Sequence, residues 1–168
     1  MNLLGEAQKI SQELDGVIFV GAVAVLAHTG RGRQTRDIDL ALASPVSEEE
    51  LEKRGYLARI ENGKKVRRSP RGVRVDIYTK DVSGIAVSAF SKTSQIRPMK
   101  RGRSIRVMCL EALLLAKLRA SRPSRPQDAQ DIRDLCFYRG KEIEWKVFKD
   151  LGADETEINR LRNIRNAI

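Results

Sequence analysis

Two short segments show the clearest periodicity in the chain. Residues 37–42 (DIDLAL) and residues 73–78 (VRVDIY) place an apolar side chain at every second position. Successive side chains of a strand point to opposite faces of its sheet, so each segment is predicted to be a strand with one apolar face. In the second segment the alternation is unbroken, and it predicts the clearest strand of the chain.

Other segments have the spacing of helices or of buried strands. Apolar residues recur every three or four positions in the predicted helices, which are residues 2–14, 22–28, 110–118, 127–138, 144–151 and 154–166. The apolar run 17–20 predicts a buried strand, and residues 104–108 predict another. Asn62-Gly63 is typical of a hairpin turn. Residues 83–103, rich in Gly, Ser, Lys and Arg, give no clear prediction.

The order of these elements predicts an α+β fold, because strands and helices are mixed up to residue 108 and only helices follow. We expect a small mixed β-sheet that carries an acidic site, with helices packed on one face, plus a C-terminal helical part. Residues 1–108 would form the core, and residues 109–168 would form a helical subdomain packed on it.

Composition narrows the class of protein. The chain has 168 residues, of which 41% are hydrophobic, and a formal net charge of +10. No segment has the roughly 18 consecutive apolar residues of a membrane span, so we expect a cytoplasmic protein with no membrane contact. The positive charge favours a polyanionic partner such as RNA or a nucleotide.

Three carboxylates occupy the polar faces of the two alternating strands. Asp37 and Asp39 lie opposite the apolar face of the first strand, and Asp76 lies opposite that of the second. If the strands are neighbours, the three acids share one side of the sheet. The chain has a single histidine, His28, so a metal at this place would take oxygen ligands, as Mg²⁺ or Mn²⁺ does. An ordinary solvated sheet face is the alternative interpretation.

The surrounding residues favour nucleotide chemistry. Gly21 stands between a predicted strand and a predicted helix, where backbone N–H groups can meet a phosphate. Arg31, Arg33 and Arg36 come just before the acids. The parts needed to bind a nucleotide are therefore close together in the chain.

Three segments resemble the nucleotidyltransferase superfamily, whose fold is that of DNA polymerase beta. They are FVGAVAVLAHTGRGRQTRDIDLAL, VRVDIYTKD and LEALLLAKLRASRPSRPQDAQDIRDL, and they cover about half of the chain in the order of the family. The compound pattern R-x-T-x-D-I-D-L is far more specific than D-x-D. The similarity is greatest to small prokaryotic members, including the toxin-type nucleotidyltransferases of abortive-infection systems.

The resemblance implies roles for the acids, the glycine loop and the C-terminal helices. Asp37, Asp39 and Asp76 would be the catalytic metal ligands, with Asp76 also placed to assist deprotonation, and Lys117 would be a further catalytic residue. It also implies nucleotide contacts at Gly21, Ala22 and Asp131, whereas Arg31 and Arg33 are expected to contact phosphate from their place before the acids, and Thr29 or Thr35 would supply a hydroxyl that Ala22 lacks. Asp128 begins the D-x-x-D motif of the toxin-like relatives. The sequence departs from the family at Ala22, where a Gly or Ser is usual.

Simpler interpretations stay open for several of these residues. Lys117 lies on an apolar stripe and would snorkel at the edge of the core. Asp128 would merely favour a helix N-terminus. The basic run from Lys64 to Arg74 is typical of a solvated face, although the net charge favours an RNA-contacting edge there.

The expected function is transfer of a nucleoside monophosphate from an NTP to a hydroxyl, with Mg²⁺ or Mn²⁺ as cofactor. An RNA such as a tRNA end is the expected acceptor, and a toxin-type enzyme with a cognate antitoxin or partner protein is one form of this hypothesis. The alternative is a non-catalytic module of the same fold that binds RNA or a partner protein.

Overall fold

The structure, a computed structural model, describes residues 3–32, 35–99 and 102–168. Within these ranges the chain forms eight α-helices and nine strands. The helices are α1 (Leu3–Glu13), α2 (Gly21–Thr29), α3 (Glu48–Lys53), α4 (Val87–Ser91), α5 (Leu110–Ala120), α6 (Pro126–Arg139), α7 (Trp145–Asp150) and α8 (Glu155–Asn166). The strands are β1 (Val17–Phe19), β2 (Asp37–Leu42), β3 (Leu57–Glu61), β4 (Lys64–Arg68), β5 (Arg74–Tyr78), β6 (Asp81–Val82), β7 (Ile85–Ala86), β8 (Gln95–Pro98) and β9 (Ser104–Val107).

Seven strands form one mixed sheet in the order β3-β4-β5-β2-β1-β9-β8. The central strand β2 pairs in parallel with β5 and antiparallel with β1, and β1 pairs in parallel with β9. Two hairpins, β3–β4 and β8–β9, form the two edges of the sheet. The α+β prediction is confirmed, with a mixed sheet followed by a C-terminal helical part.

A continuous hydrophobic core joins the sheet to the helices on both sides of residue 108. It runs from Ala7 in α1 through Leu40 in β2 and Leu114 in α5 to Leu161 in α8. Local signals fix where the helices begin. Ser47 accepts a hydrogen bond from the Glu50 backbone N–H at 3.1 Å, while Asp154 and Glu157 form a capping box at α8.

Residues 83–103, which gave no clear prediction, contain several short elements instead of one long one. The small hairpin β6–β7 is followed by α4 and then by the edge strand β8. The turn of β6–β7 has positive φ at both Ser83 (51°) and Gly84 (75°), as a type I′ turn requires. No helix in the described parts of the chain is long and apolar enough to cross a membrane.

His28, the single histidine, has a structural position at the end of α2. Its Nε2 lies 2.8 Å from the Met108 carbonyl oxygen, and its Nδ1 lies 3.1 Å from Arg97 Nη2. Burial lowers the pKa of His28 to about 4, so the ring is neutral at physiological pH. With both nitrogens engaged, His28 is a hydrogen-bonding connection between α2 and the β8–β9 hairpin.

Candidate active site

The three predicted acids lie on one face of neighbouring strands. β2 and β5 pair in parallel, with Asp39 directly opposite Asp76 and Asp37 directly opposite Arg74. Ile38 and Leu40 face the other way and are 0% exposed. The alternation of β2 therefore divides its side chains between a core face and an acidic face, and register with β5 adds the third carboxylate.

Gly21 brings the start of α2 against this acidic face. A Cβ added to Gly21 would lie 2.3 Å from Asp39 Oδ2, and the residue has a φ of +56°. Both observations require glycine, because a side chain would overlap the carboxylate and left-handed backbone disfavours L-residues. The backbone N–H of Val20 also donates to the Asp39 carbonyl at 3.0 Å. The first turn of α2, whose N–H groups have no partner inside the helix, thus begins beside Asp39.

The carboxyl group of Asp39 has a shifted pKa. Burial raises its pKa to about 6, and the neighbouring charges of Asp37 and Asp76 act in the same direction. Lys117 and a 3.5 Å hydrogen bond from the Tyr78 hydroxyl oppose the rise. The protein therefore holds concentrated negative charge at a buried place, which favours binding of a cation there.

Each of the three acids opens into a different cavity. Asp39 lines a pocket of ≈ 90 Å³, shared with Gly21, Tyr78, Lys117 and Arg125. Asp37 lines a groove of ≈ 1030 Å³ that Arg36, Arg68 and Arg71 border. Asp76 lines a third cavity, of ≈ 450 Å³. A ligand in any of these spaces has access to at least one carboxylate of the same cluster.

Lys117 and the D-x-x-D motif form a buried ion-pair network beside Asp39. Lys117 Nζ lies 2.8 Å from Asp128 Oδ1 and 2.7 Å from Asp131 Oδ2. Arg125 adds a contact of 3.0 Å to Asp128 Oδ2. Asp128 is 0% exposed, so it does much more than favour a helix N-terminus. Lys117 does not snorkel into solvent, since its side chain is only 8% exposed.

Thr29 and Arg31 lie at the far end of α2 from Gly21 and Ala22. Eight residues of helix separate Gly21 from Thr29, which corresponds to about 12 Å along the axis. The Thr29 hydroxyl donates to the Val25 carbonyl at 2.8 Å, and the Arg31 guanidinium lies over the Tyr138 ring at 5.6 Å. The structure therefore does not bring Thr29 and Arg31 to the glycine end of the helix.

Thr35 lies next to the acids, where its hydroxyl donates to Asp37 Oδ1. Arg36 follows it and borders the groove beside Asp37. Arg33, also predicted to contact the nucleotide, falls outside the described residues. Of the predicted nucleotide-binding residues, Gly21, Ala22, Thr35 and Asp131 are thus placed close to the acidic cluster or to Lys117.

The donor set of the cluster fits a hard divalent cation, although its carboxylates already accept hydrogen bonds from neighbouring side chains. Carboxylate oxygens are the ligands that Mg²⁺ and Mn²⁺ prefer, and burial together with the charges of Asp37 and Asp76 raises the pKa of Asp39. Arg74 donates to both Asp76 oxygens, at 3.2 and 3.1 Å. Within residues 3–32, 35–99 and 102–168, no group of three or more His, Cys, Asp or Glu side chains is arranged as a metal site.

Sequence reasoning missed two contributors to this site. Tyr78, the last residue of β5, donates its hydroxyl to Asp39 Oδ1 at 3.5 Å across the strand pair. Arg125 lies in the loop before α6 and lines the Asp39 pocket. The alternation of β5 already placed Tyr78 on the acidic face, whereas nothing in the sequence around Arg125 shows that this loop lies at the Asp39 pocket.

A family model supplies the decisive comparison. Residues 1–167 match the family described as nucleotidyltransferases of unknown function (DUF6036). The chain belongs to this nucleotidyltransferase family. The match spans nearly the whole chain, including β2 and β5, which carry the acidic face. Among curated proteins, none matches the chain significantly.

Solved structures show the same fold at low sequence identity. An antigenic nucleotidyltransferase-like protein from Paracoccidioides brasiliensis is 17% identical with a TM-score of 0.60, over 97% of this chain and 86% of its own. The antibiotic-resistance factor ANT(2″)-Ia is 17% identical with a TM-score of 0.59, over 99% of this chain and 96% of its own. ANT(2″)-Ia in complex with adenylyl-2″-tobramycin gives a TM-score of 0.57 at 17% identity, over 98% and 94%.

Proposed function

We propose that this nucleotidyltransferase moves a nucleoside monophosphate from an NTP to a hydroxyl acceptor and releases pyrophosphate. The observation that carries the proposal is the placement of Asp39 opposite Asp76, with Gly21 at the start of α2 pressed against the Asp39 carboxylate. A helix N-terminus beside a cluster of acids offers N–H donors for phosphate and oxygen ligands for the cation that accompanies it.

The nucleotide is proposed to lie between α2 and α5. Backbone N–H groups of Gly21 and Ala22 point to the phosphates, so the missing side-chain hydroxyl at position 22 removes one hydrogen bond but no backbone donor. Lys117 lines the same pocket as Asp39 and supplies positive charge to it. Asp128 and Asp131 hold the Lys117 ammonium in place, so that their role is to position it. Thr35 orients the Asp37 carboxylate.

Asp37, Asp39 and Asp76 would hold Mg²⁺ or Mn²⁺. When bound, such ions neutralise the charge that develops on the transferred phosphoryl group and on the leaving oxygen. Asp76 is the acid proposed to accept the proton of the attacking hydroxyl, which leaves the acceptor oxygen free to form the new bond to phosphorus. Arg74 keeps Asp76 in position through its paired contacts.

RNA is the proposed acceptor, because a net charge of +10 favours a polyanion. A small-molecule hydroxyl is the second candidate, since one structural neighbour is described in complex with adenylyl-2″-tobramycin. We extend the first proposal to a toxin-type enzyme acting on tRNA ends, with a cognate antitoxin as partner. That extension predicts growth arrest on expression, and no arrest by the Asp39→Ala variant.

The test is incubation of the protein with each α-³²P-labelled NTP, Mg²⁺ and total RNA. We expect labelled RNA from the wild type and at least a 100-fold loss in Asp39→Ala. Asp150→Ala removes an exposed acid at the end of α7 and is the matched control, which should transfer normally. Label on RNA at equal rates in the wild type and Asp39→Ala, or no label with any NTP, would reject the proposal.

A further inference from the structure

The two edges of the sheet are equally far from Asp39 but differ in how their basic residues are engaged. Both edge strands, β3 and β8, lie three strands from β2. Neighbouring strands are about 4.8 Å apart, so each edge lies about 14 Å from β2 across the sheet. Distance from the candidate active site therefore does not decide which edge meets a polyanion.

Most basic residues at the β3–β4 edge, including the run that follows into β5, are occupied by carboxylates. Arg68 contacts Glu61 at 2.7 Å, and Arg71 contacts Glu6 at 2.7 Å. Four more pairs lie in the same region, Lys65–Glu48, Arg67–Glu48, Arg71–Glu13 and Arg74–Asp76, while the exposed Arg59 and Lys64 have no ion pair among the described residues. A phosphate arriving here would have to displace a carboxylate already bound to the guanidinium or ammonium group.

The segment of the chain that forms the β8–β9 edge contains no acidic residue. Residues 82–110 include six Lys or Arg and no Asp or Glu. Four of the six, Lys92, Arg97, Arg103 and Arg106, are described, and we name them the β8–β9 patch. Within the part of the chain that the structure describes, these four form no ion pair. The partners of the three arginines are neutral: His28 and Gln95 for Arg97, Gln8 for Arg103 and Ser94 for Arg106.

Arg97 adds a second sign of uncompensated positive charge. Its Nε is buried and has no hydrogen-bond partner among the described residues. Burial is the largest cause that lowers its pKa, the Arg139 guanidinium acts in the same direction, and Glu142 opposes them. Glu142 is itself bound to Arg139. Arg97 is opposite Ile105, the neighbour of Arg106 in β9, so Arg97 and Arg106 project from opposite faces of the sheet and the patch spans both faces of this edge.

Register places Arg106 on the same face of the sheet as the three acids. Phe19 is opposite Val107, and Ile18 is opposite Ala41, so Arg106 is level with Ile18 and shares the face of Ala41 and Asp39. Two strands across and two residues along the strand give a backbone separation of about 12 Å from Asp39. Arg106 also borders a shallow groove of ≈ 230 Å³, in which Asp15 is the one acidic lining residue.

We propose that the β8–β9 patch binds the phosphate backbone of an RNA acceptor and directs its hydroxyl toward Asp39. This inference rests on the proposed function and specifies where the acceptor binds. A polynucleotide repeats its phosphate along the strand, so one segment occupies the patch while the terminal nucleotide reaches the site. An anionic membrane surface is complementary to the patch as well, but it cannot extend along the sheet to Asp39.

Binding is tested without nucleotide or metal, so that the result is independent of catalysis. Fluorescence anisotropy with a labelled 20-nucleotide single-stranded RNA in EDTA is measured between 50 and 300 mM salt. We expect Arg103→Gln/Arg106→Gln to weaken binding at least fivefold and to reduce the salt slope by about 1.4, because each phosphate contact to a single strand contributes about 0.7. Lys65→Gln/Arg68→Gln removes the same charge from two carboxylate-paired residues at the other edge and should change the affinity less than twofold.

Equal losses in the two double variants, or no loss in the patch variant, would overturn the assignment. Binding of the wild type to phosphatidylserine vesicles at least as tightly as to RNA, and lost in the patch variant, would also overturn it in favour of a membrane. If RNA binding depends on the patch but no label is transferred in the assay above, the proposed function fails while the RNA-binding surface stands. RNA binding by Asp39→Ala should equal that of the wild type, because the β8–β9 patch and not the candidate active site is proposed to hold the RNA.

Discussion

The β3–β4 edge and the β8–β9 edge are both basic hairpins, yet only the first has most of its positive charge paired with carboxylates. On the β3–β4 side, the ion pairs reach from the hairpin to α1 and α3, where Arg71 contacts Glu6 and Glu13 and Arg67 contacts Glu48. On the β8–β9 side, the arginines contact only neutral groups among the described residues. The density of basic residues along the sequence is similar in the two hairpins, but the groups that these residues contact differ.

This difference separates structural cations from cations available to a ligand. Arginines that hold a buried carboxylate stabilise the contact between two elements, and their removal is felt in folding. Arginines exposed without a carboxylate partner contribute little to stability and remain free for phosphate. Net charge alone would assign both hairpins to nucleic-acid binding. The ion pairs instead assign a structural role to the β3–β4 edge and leave the β8–β9 edge to bind phosphate.

The largest effect is expected from removing the best-anchored arginine. Arg71→Ala leaves Glu6, which is 7% exposed, with the Ser69 hydroxyl, at 2.7 Å, as its one side-chain partner among the described residues. We expect the free energy of unfolding to fall by about 2–4 kcal/mol, since an unpaired buried carboxylate keeps its desolvation cost. Urea unfolding followed by circular dichroism measures the change.

Arg106→Ala is the control at the other edge, where the same substitution should cost less than about 0.5 kcal/mol. Similar losses in the two variants would show that ion pairing does not distinguish the edges, and the comparison between them would be broken.

The sequence predicts the faces of the strands better than it predicts their partners. Alternation in DIDLAL was enough to assign Ile38 and Leu40 to the core and Asp37 and Asp39 to the opposite face, and the structure has them there. The neighbourhood of β2 and β5 follows from a parallel pairing across more than thirty residues, which no local pattern encodes. From the sequence, the three acids share one face only if β2 and β5 are neighbours, and the structure shows that these strands pair.

Ion pairs between distant segments explain what the sequence left open. The run from Lys64 to Arg74 favoured an RNA-contacting edge because its carboxylate partners are not nearby in the chain. Glu6 is 65 residues from Arg71, and Glu48 is 19 from Arg67. Asp128 was interpreted as a helix N-terminal residue for the same reason, since only the packing of α6 on α5 buries it against Lys117.

A second prediction concerns acid sensitivity. Hydrogen bonds from Arg71 lower the pKa of Glu13 below its usual 4.5, against a smaller opposing effect of burial. The stabilising contribution of this pair is therefore complete above pH 4.5 and is lost as the pH falls through the lowered value. Wild type should lose about 1 kcal/mol more stability than Glu13→Gln between pH 6 and pH 3, as measured by urea unfolding at each pH.

The β8–β9 edge provides the comparison for this prediction, because residues 82–110 contain no carboxyl group that titrates in this range. Arg106→Gln should therefore follow the wild-type pH dependence. If Glu13→Gln showed the same pH dependence as the wild type, the Arg71–Glu13 pair would contribute nothing measurable to stability. The claim that ion pairs at the β3–β4 edge stabilise the fold would then be wrong.

The smallest expected effect is a gain of RNA binding at the paired edge. Glu61→Gln removes the carboxylate that holds Arg68 through contacts of 2.7 and 2.8 Å. The freed guanidinium then meets phosphate without competition, so we expect a two- to fivefold gain in RNA affinity and a salt slope steeper by about 0.7. Glu155→Gln breaks the exposed Lys149–Glu155 pair in the C-terminal helices, and it makes the same change in net charge. Lys149 is far in sequence from either hairpin. A gain confined to Glu61→Gln would therefore show that ion pairing prevents the β3–β4 edge from binding RNA. Equal gains in the two variants would show that net charge alone determines the affinity.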